Sequence, residues 1–201
     1  MIDQSPGTAN GRTPSTGAGG AGFTLVEILV AVTVFGILAA IAYPAFSPER
    51  SQVKSALGSV GSTIMRAQQL AVTEQHDIAV VFRVNQGAYL LHEDVDNDGN
   101  IDSDERTIQR ELPSGVSYGQ RSAPDHAVGS GPVTFGNEGY GDPTVIFHRS
   151  GSASAEGGIY LSTTRGSGSS LSGRVGLLTV SRSTGRTTRY MYSGATWELE
   201  D

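Results

Sequence analysis

The 201-residue chain contains no cysteine and has fewer basic than acidic residues. The lack of cysteine excludes disulfide bonds, thiolate catalysis and cysteine-ligated zinc, but it does not identify the compartment, since exported proteins need not contain disulfides. With 14 basic and 20 acidic residues, the formal net charge is −6. Nucleic acid and anionic lipid therefore have no general electrostatic attraction to this protein, and binding either would require a local basic patch.

Residue patterns typical of catalytic sites are also absent from the sequence. The four histidines are scattered without metal-ligand spacing, at positions His76, His92, His126 and His148. No serine–histidine–aspartate arrangement and no phosphate-binding glycine loop can be recognised. The 27 glycines are better explained as loop and turn residues. We therefore expect that the protein is not an enzyme.

The chain begins with a polar segment that is followed by a long apolar run. Residues 1–22 are small and polar and lack the apolar period of a core element, which predicts a leader peptide. The predicted transmembrane helix is residues 23–46, and its length from Phe23 to Ala45 would be about 34 Å at about 1.5 Å per residue, enough to cross a bilayer core. The run is too long for a secretory signal and no basic region precedes it. The remaining residues, 47–201, are enough for one domain.

Glu27 is the only charged residue in the apolar run. An ionised carboxylate in a membrane helix costs about 3 kcal/mol at mid-bilayer and less near the interface. One interpretation places Glu27 at the headgroup level without a partner. The other requires a cation, and no Lys or Arg lies between Phe23 and Glu49. Cleavage before Phe23 would supply one, because it creates an α-ammonium group four residues upstream of Glu27, in the same molecule or its neighbour.

The segment Gly22-Phe23-Thr24-Leu25-Val26-Glu27, followed by the apolar run and Pro44, resembles the class III signal of type IV pilins and type II secretion pseudopilins. This resemblance implies that a prepilin peptidase cleaves between Gly22 and Phe23 and that Phe23 becomes N-methylated. It also implies that Glu27 neutralises a neighbouring subunit's N-terminus during assembly, and that Pro44 is the helix-breaking proline of these proteins. The leader is longer than is usual for pilins.

The same resemblance implies a location and a topology. The protein is expected in the inner (cytoplasmic) membrane as a single-pass protein whose C-terminal domain is periplasmic, and it is expected to be extracted from there into a pilus or pseudopilus. The orientation follows from the family and not from charge, because the leader's one basic residue, Arg12, is offset by Asp3.

A helical period continues after Pro48 and then changes to a β pattern. Apolar residues recur at spacings of three and four from Val53 to Ala71, which predicts an amphipathic helix over residues 47–75. Short apolar runs bounded by turn residues predict a mainly antiparallel sheet over residues 78–199. The predicted strands are 78–84, 88–91, 107–112, 116–118, 133–135, 145–147, 159–161, 174–181, 187–192 and 197–199. A long N-terminal helix, transmembrane and then amphipathic, packed on such a sheet is an α+β, pilin-like fold.

Three inner segments narrow the resemblance to the GspH/FimT group of minor pilins and pseudopilins. They are AQQLAVTEQHDIAVVF at 67–82, ELPSGV at 111–116 and LLTVSRSTGR at 177–186. The resemblance implies a minor subunit that joins other pilins through its N-terminal helix in a type II secretion pseudopilus or a type IV pilus, at or near the tip. An alternative is a helix-anchored envelope protein that never polymerises, which would keep an uncut N-terminus and tolerate Glu27→Ala.

The acidic segment DVDNDGNIDSDE, residues 94–105, has the spacing of an EF-hand calcium loop. The predicted Ca²⁺ ligands are Asp94, Asp96, Asp98, the Asn100 carbonyl, Asp102 (directly or through water) and Glu105. Gly99 permits the sharp turn that such a loop requires. Strands and not helices flank the segment, which we therefore interpret as a calcium loop within a β-hairpin. Bound Ca²⁺ would rigidify the loop; the alternative is a solvated acidic turn.

A basic segment near the C-terminus is a local patch of the kind that DNA binding requires. The turn at Ser183–Arg186 is predicted to bring Arg182, Arg186 and Arg189 together, with Tyr190 and Tyr192 as candidate base-stacking residues.

FimT-type minor pilins implicated in DNA uptake carry a Gly-Arg-x-Arg motif near the C-terminus. The segment here, Gly185 to Arg189, is one residue longer, which moves the second arginine to the other strand face. A solvated strand face is therefore favoured over the alternative function, a DNA-binding minor pilin for natural transformation. A secreted substrate is the other candidate partner.

Overall fold

The computed structural model of the chain describes residues 23–42, 48–163 and 173–200. The chain divides into two compact units, Met1–Phe46 and Ser47–Asp201. In the first unit, helix α1 covers Leu25–Ala42. Within the part of the chain that the structure describes, no helix is both long and apolar enough to cross a membrane. The predicted leader and Pro44 lie outside the described residues.

The second unit contains one long helix followed by nine strands in its described part. Helix α2 covers Pro48–Glu74, close to the predicted 47–75. The strands are β1 (Asp77–Arg83), β2 (Ala88–Asp94), β3 (Thr107–Glu111), β4 (Val116–Tyr118), β5 (Thr144–Phe147), β6 (Gly157–Thr163), β7 (Val175–Val180), β8 (Thr187–Tyr192) and β9 (Trp197–Leu199).

The strands form two antiparallel sheets and not the single sheet that the sequence predicts. One sheet has the order β3-β2-β1-β5 and the other the order β4-β6-β7-β8-β9. The predicted strand at 133–135 is wrong, because in the structure Val133 forms only an isolated bridge to Ile159. A three-residue apolar run gives no information on whether a neighbouring strand continues its ladder.

Helix α2 is held by its apolar stripe. Its stripe residues are fully buried: Val53, Leu57, Val60, Ile64, Ala67 and Ala71. The helix contacts strands of both sheets, chiefly β1, β6 and β7. Burying a leucine or isoleucine side chain contributes about 1.5–3 kcal/mol, so this stripe dominates the docking of the helix, and the two glycines within it are tolerated. The predicted amphipathic helix and its core residues are confirmed.

Strand β1 is buried on both faces, which explains its unbroken apolar sequence. Ile78, Val80 and Phe82 belong to the main core beneath α2, whereas Ala79 and Val81 pack on the opposite face with Leu90. The turn to β2 is a single 3-10 turn that ends at Gly87 with a φ of +63°. The first sheet therefore has a buried centre, and the loop between β2 and β3 lies at the end of the hairpin that these two strands form.

Candidate functional site

The start of α1 contains the residues that the sequence singles out for assembly. Thr24 caps the helix: its Oγ1 accepts a hydrogen bond from the Glu27 backbone N–H at 3.2 Å. Glu27 lies in the first helical turn, where the helix dipole favours a negative charge, and its side chain is exposed. Phe23 is 77% exposed. Gly22 lies outside the described residues, as Pro44 does.

The acidic loop joins β2 to β3, two paired strands, and so lies in a β-hairpin. Carboxylate oxygens of Asp94, Asp96 and Asp98 lie within 4.8 Å of one another, close enough to hold one cation. Asp94 is buried at the end of β2, whereas the other two are exposed. Gly99 has a φ of +77°, the left-handed conformation that the sharp turn requires.

Backbone and side-chain donors hydrogen-bond to all three carboxylates; the one to Asp96 is the Asp98 N–H, at 3.2 Å. Asp94 accepts hydrogen bonds from the Asp98 and Gly99 N–H groups, both at 3.1 Å, and from the Tyr140 hydroxyl at 2.9 Å. Asn100 donates to Asp98 from its backbone N–H at 2.7 Å and from its side chain at 2.8 Å. These hydrogen bonds from Asn100 lower the pKa of Asp98, so this carboxylate stays ionised.

Two members of the other half of the predicted ligand set, the Asn100 carbonyl and Glu105, contact His92. The buried His92 ring places Nε2 2.9 Å from the Asn100 carbonyl and 3.0 Å from Glu105 Oε2, while Nδ1 lies 3.0 Å from Thr107 Oγ1. Glu105 also accepts a hydrogen bond from the Val95 N–H at 2.7 Å. The carboxylate that was predicted to close the calcium shell is thus engaged within the loop.

Asp102 and Tyr140 also have shifted pKa values at this loop. Desolvation, followed by the charges of Asp98 and Glu105, raises the pKa of Asp102. Burial, followed by the hydrogen bond to Asp94, raises the pKa of Tyr140, so its hydroxyl keeps its proton and donates. Sequence reasoning missed His92 and Tyr140 as loop residues. His92 precedes the loop by only two positions, but Tyr140 is 46 residues from Asp94 and carries no signal.

Arg182, Arg186 and Arg189 belong to the hairpin of β7 and β8, here called the arginine hairpin. The two strands pair as predicted. The turn of this hairpin is attached to α2 by Gln68, whose Nε2 donates to the carbonyls of Gly151 and Thr184, both at 2.6 Å. Gly185 has a φ of +63°, and a Cβ there would collide with the Gln68 amide and the Gly151 carbonyl. Glycine at this position is therefore explained by close packing of the turn.

Arg182 and Arg186 stand at this turn and are exposed, and within the described residues neither guanidinium has a hydrogen bond or an ion pair. Arg189 is half-buried and shares a strand face with the core residue Met191, which pairs with Glu198. Arg189 is thus in a different environment from the two turn arginines, because it is half-buried and they are exposed.

The two tyrosines considered for base stacking belong to an aromatic cluster. The Tyr190 ring lies 4.7 Å from His126, and the Tyr192 ring lies 5.4 Å from Trp197. Tyr192 is buried. These rings pack against other protein aromatics, so Tyr192 has no free face for a base.

The fold and the N-terminal segment together define a pilin-like protein, and comparison with known families specifies which kind. Residues 19–43 match the prokaryotic N-terminal methylation motif, and residues 56–184 match the family described as type II transport protein GspH. The second match covers most of the chain, so the protein belongs to the GspH family of minor pseudopilins and pilins. This family consists of structural subunits and not of enzymes.

Individual relatives are similar to this chain over much of its length. The pilin-like protein PilA1 of Thermus thermophilus is 28% identical over 120 residues, which is 59% of this chain and 77% of the relative. The minor pseudopilin EpsH of the Vibrio cholerae type 2 secretion system has a TM-score of 0.45 at 10% identity, covering 72% of this chain and 99% of EpsH. The type IV minor pilin FimU of Pseudomonas aeruginosa has a TM-score of 0.47 at 13% identity, covering 75% of this chain and 95% of FimU.

These findings confirm two predictions. The chain is a GspH/FimT-type, pilin-like protein, and its fold is the α+β arrangement of a helix packed on antiparallel sheets. The family description names type II transport, and the curated relative is named a pilin-like protein.

Proposed function

We propose that this protein is a minor pseudopilin or pilin subunit that is cleaved after Gly22 and then joins a pseudopilus or type IV pilus through α1, at or near the filament tip. The observation that carries the proposal is the position of Glu27, in the first turn of α1 and four residues after the residue that cleavage would make N-terminal. Other pilins or pseudopilins are the partners, and a prepilin peptidase is the processing enzyme.

The exposed surface of α1 supports an apolar environment for this helix. Its large apolar side chains are about half or more exposed in the chain on its own: Leu25, Val26, Ile28, Leu29, Val30, Val32, Val34, Phe35, Ile37 and Leu38. Such a surface is stable only when lipid or other subunits cover it. In this proposal residues 23–46 cross the inner membrane before assembly, the second unit is periplasmic, and neighbouring subunits replace lipid in the filament.

Processing is the first test of this proposal. Mass spectrometry of the membrane-purified protein is expected to find Phe23 at the N-terminus with the added mass of one methyl group. Gly22→Val should block cleavage, whereas Gly17→Val, a change of the same kind within the leader, should not. An intact leader in cells with an active prepilin peptidase would exclude the proposal and favour a helix-anchored protein that does not polymerise.

We further propose that the loop of residues 94–105 binds Ca²⁺ through Asp94, Asp96 and Asp98. The convergence of these carboxylates and the left-handed Gly99 support it. Asn100, Asp102 and Glu105 remain the predicted additional ligands, and Glu105 would have to exchange its contact with His92 for the ion. The ion would offset the repulsion between the carboxylates and rigidify the hairpin.

Calorimetric titration of the full chain in non-ionic detergent is expected to detect Ca²⁺ binding in the millimolar range or tighter. At a Ca²⁺ concentration about 100 times the Kd, stability should rise by about 2.7 kcal/mol. Asp96→Asn and Glu105→Gln should each weaken binding at least about tenfold, a loss of about 1.4 kcal/mol. Asp104→Asn, an exposed loop aspartate outside the predicted set, is the matched control. Absence of heat with the unmodified chain would exclude the site.

A second candidate function is DNA binding during natural transformation, and the exposed guanidinium groups of Arg182 and Arg186, which have no hydrogen bond or ion pair in the described part of the chain, favour it. If it operates, Arg186→Ala should weaken binding to a DNA duplex in a salt-dependent gel shift, and the slope of log K against log salt should fall by about one. Arg149→Ala removes the same charge from another exposed position and should have no effect. Equal binding by both variants would leave the hairpin as a solvated surface.

A further inference from the structure

A cavity of about 310 Å³ lies between α2 and the outer edge of the first sheet, away from the acidic loop and the arginine hairpin. Its walls include Ser59 and Arg66 from α2 and Tyr89 and Arg110 from β2 and β3. The volume is at the lower end of the range for small-molecule sites, and the whole cavity belongs to the second unit.

Strand register and helix periodicity place these side chains together. In the β2–β3 ladder Tyr89 pairs with Arg110 and Leu91 pairs with Ile108, so these four side chains share the sheet face that lines the cavity. On α2, Ser59 and Arg66 are seven residues apart, which places them on one side of the helix. The cavity therefore has two cationic groups from different elements and an apolar wall.

Among the described residues, no acidic side chain pairs with either guanidinium group. Within the described residues, neither Arg66 nor Arg110 makes a hydrogen bond or an ion pair through its side chain, although the protein as a whole is acidic. Arg106, just before the same strand, is paired with Glu93 at 3.4 Å. Glu111 follows Arg110 but alternates to the opposite sheet face. Two positive charges thus line one cavity without the compensation that Arg106 receives.

Neutral hydroxyl groups provide further hydrogen-bond donors beside the two arginines. Tyr89 is 2% exposed, and burial raises the pKa of its hydroxyl, which therefore stays protonated; the side chain of Thr63, also in the cavity wall, hydrogen-bonds to it. The Ser59 side chain is exposed and lines the same cavity. Guanidinium forks and hydroxyl donors around one space match an anion with several acceptor oxygens, because each oxygen can then accept a hydrogen bond.

We propose that this cavity binds the dianionic phosphate group of a small phosphate monoester. Two uncompensated guanidinium charges balance a phosphate dianion, whereas a carboxylate would leave one charge unpaired in the cavity. Leu91 and Ile108 provide an apolar wall for the organic part, for which the cavity has room. The site is independent of the filament function, since it uses no residue of α1, of the acidic loop or of the arginine hairpin.

The test is calorimetric titration of the full chain, in non-ionic detergent and phosphate-free buffer, with glycerol 2-phosphate, inorganic phosphate and acetate as separate probes. Glycerol 2-phosphate is expected to bind saturably in the millimolar range or tighter, inorganic phosphate more weakly, and acetate at least tenfold more weakly. Tighter binding of inorganic phosphate than of the monoester would overturn the assignment of the organic part. Equal binding of acetate and phosphate would overturn the choice of a dianion.

Substitutions of the cavity residues test whether the phosphate ester binds in this cavity. Arg66→Gln and Arg110→Gln should each weaken phosphate-ester binding at least tenfold, and Arg66→Lys should fall between Arg66→Gln and the unmodified chain because it keeps the charge but loses the fork. Both arginines are exposed, so the fold should persist, and Ser59→Ala provides a further cavity variant. Arg149→Gln, a change at an exposed arginine elsewhere in the second unit, is the control. Equal losses in all arginine variants, or no saturable binding to the unmodified chain, would overturn the proposal.

Discussion

Glu27→Gln is expected to leave the protein processed but nearly absent from the filament fraction. Glutamine keeps the shape of the side chain and removes its charge, so the α-ammonium group of Phe23 that cleavage creates would have no partner in an apolar filament core. A buried charge of this kind costs about 3 kcal/mol in a membrane-like environment, which corresponds to roughly a hundredfold loss of incorporation. The measurement is the ratio of filament-bound to membrane-bound protein on immunoblots of sheared cells.

Glu49→Gln is the matched control for this experiment. Glu49 also lies in the first turn of a helix, α2, so its substitution removes the same charge from an equivalent helical position in the second unit. It should incorporate like the unmodified protein. Incorporation of Glu27→Gln at the unmodified level would mean that the carboxylate is not the partner of the new N-terminus, and the assembly role of α1 would have to rest on apolar packing alone.

The second large effect is expected at Gly176, where α2 approaches β7. A Cβ on this residue would lie 2.5 Å from Leu57 Cδ1, 2.9 Å from Val53 Cγ1 and 3.1 Å from Met191 Sδ, all in the buried core. Gly176→Ala should therefore destabilise the second unit by about 1–3 kcal/mol through overpacking. The melting temperature should fall by roughly 3–9 °C for a domain of this size.

Gly58→Ala is the control, because the same methyl group is added at a position on α2 where nothing lies within 4 Å. Alanine has the better helix propensity, so this variant should be neutral or stabilised by up to about 1 kcal/mol. Both can be measured by denaturant unfolding of the full chain in detergent, with the fluorescence of Trp197, the only tryptophan, as the probe. Its ring packs against Tyr160 and Tyr192, so unfolding changes its environment. Equal stability of the two variants would contradict the close contact at Gly176.

Periodicity was sufficient to predict most elements of the fold. The stripe from Val53 to Ala71 predicts α2 because a helix that buries one face repeats its apolar residues every three to four positions. The strands from β6 to β9 are likewise marked by their apolar runs and bounding glycines. The division into two sheets was not predicted, since the sequence of a strand does not specify its lateral neighbour.

At the acidic loop, too, the sequence predicts part of the site and the tertiary structure decides the rest. Spacing alone identified three carboxylates that converge, Asp94, Asp96 and Asp98. It could not reveal that His92 would contact the Asn100 carbonyl and Glu105, or that Tyr140 would donate to Asp94 from a distant loop. Such contacts depend on which distant segments the fold brings together, and no local sequence pattern predicts them.

The amino-acid sequence by itself determined the family, the N-terminal methylation motif around Glu27, the α+β fold and the spacing of the acidic loop, because each is carried by residues close together along the chain. Only the tertiary structure decided the packing at Gly176, the partners of Glu105 and the meeting of Arg66 with Arg110 around one cavity. Arg66 and Arg110 are 44 positions apart, on a helix and an edge strand whose docking depends on the apolar core as a whole.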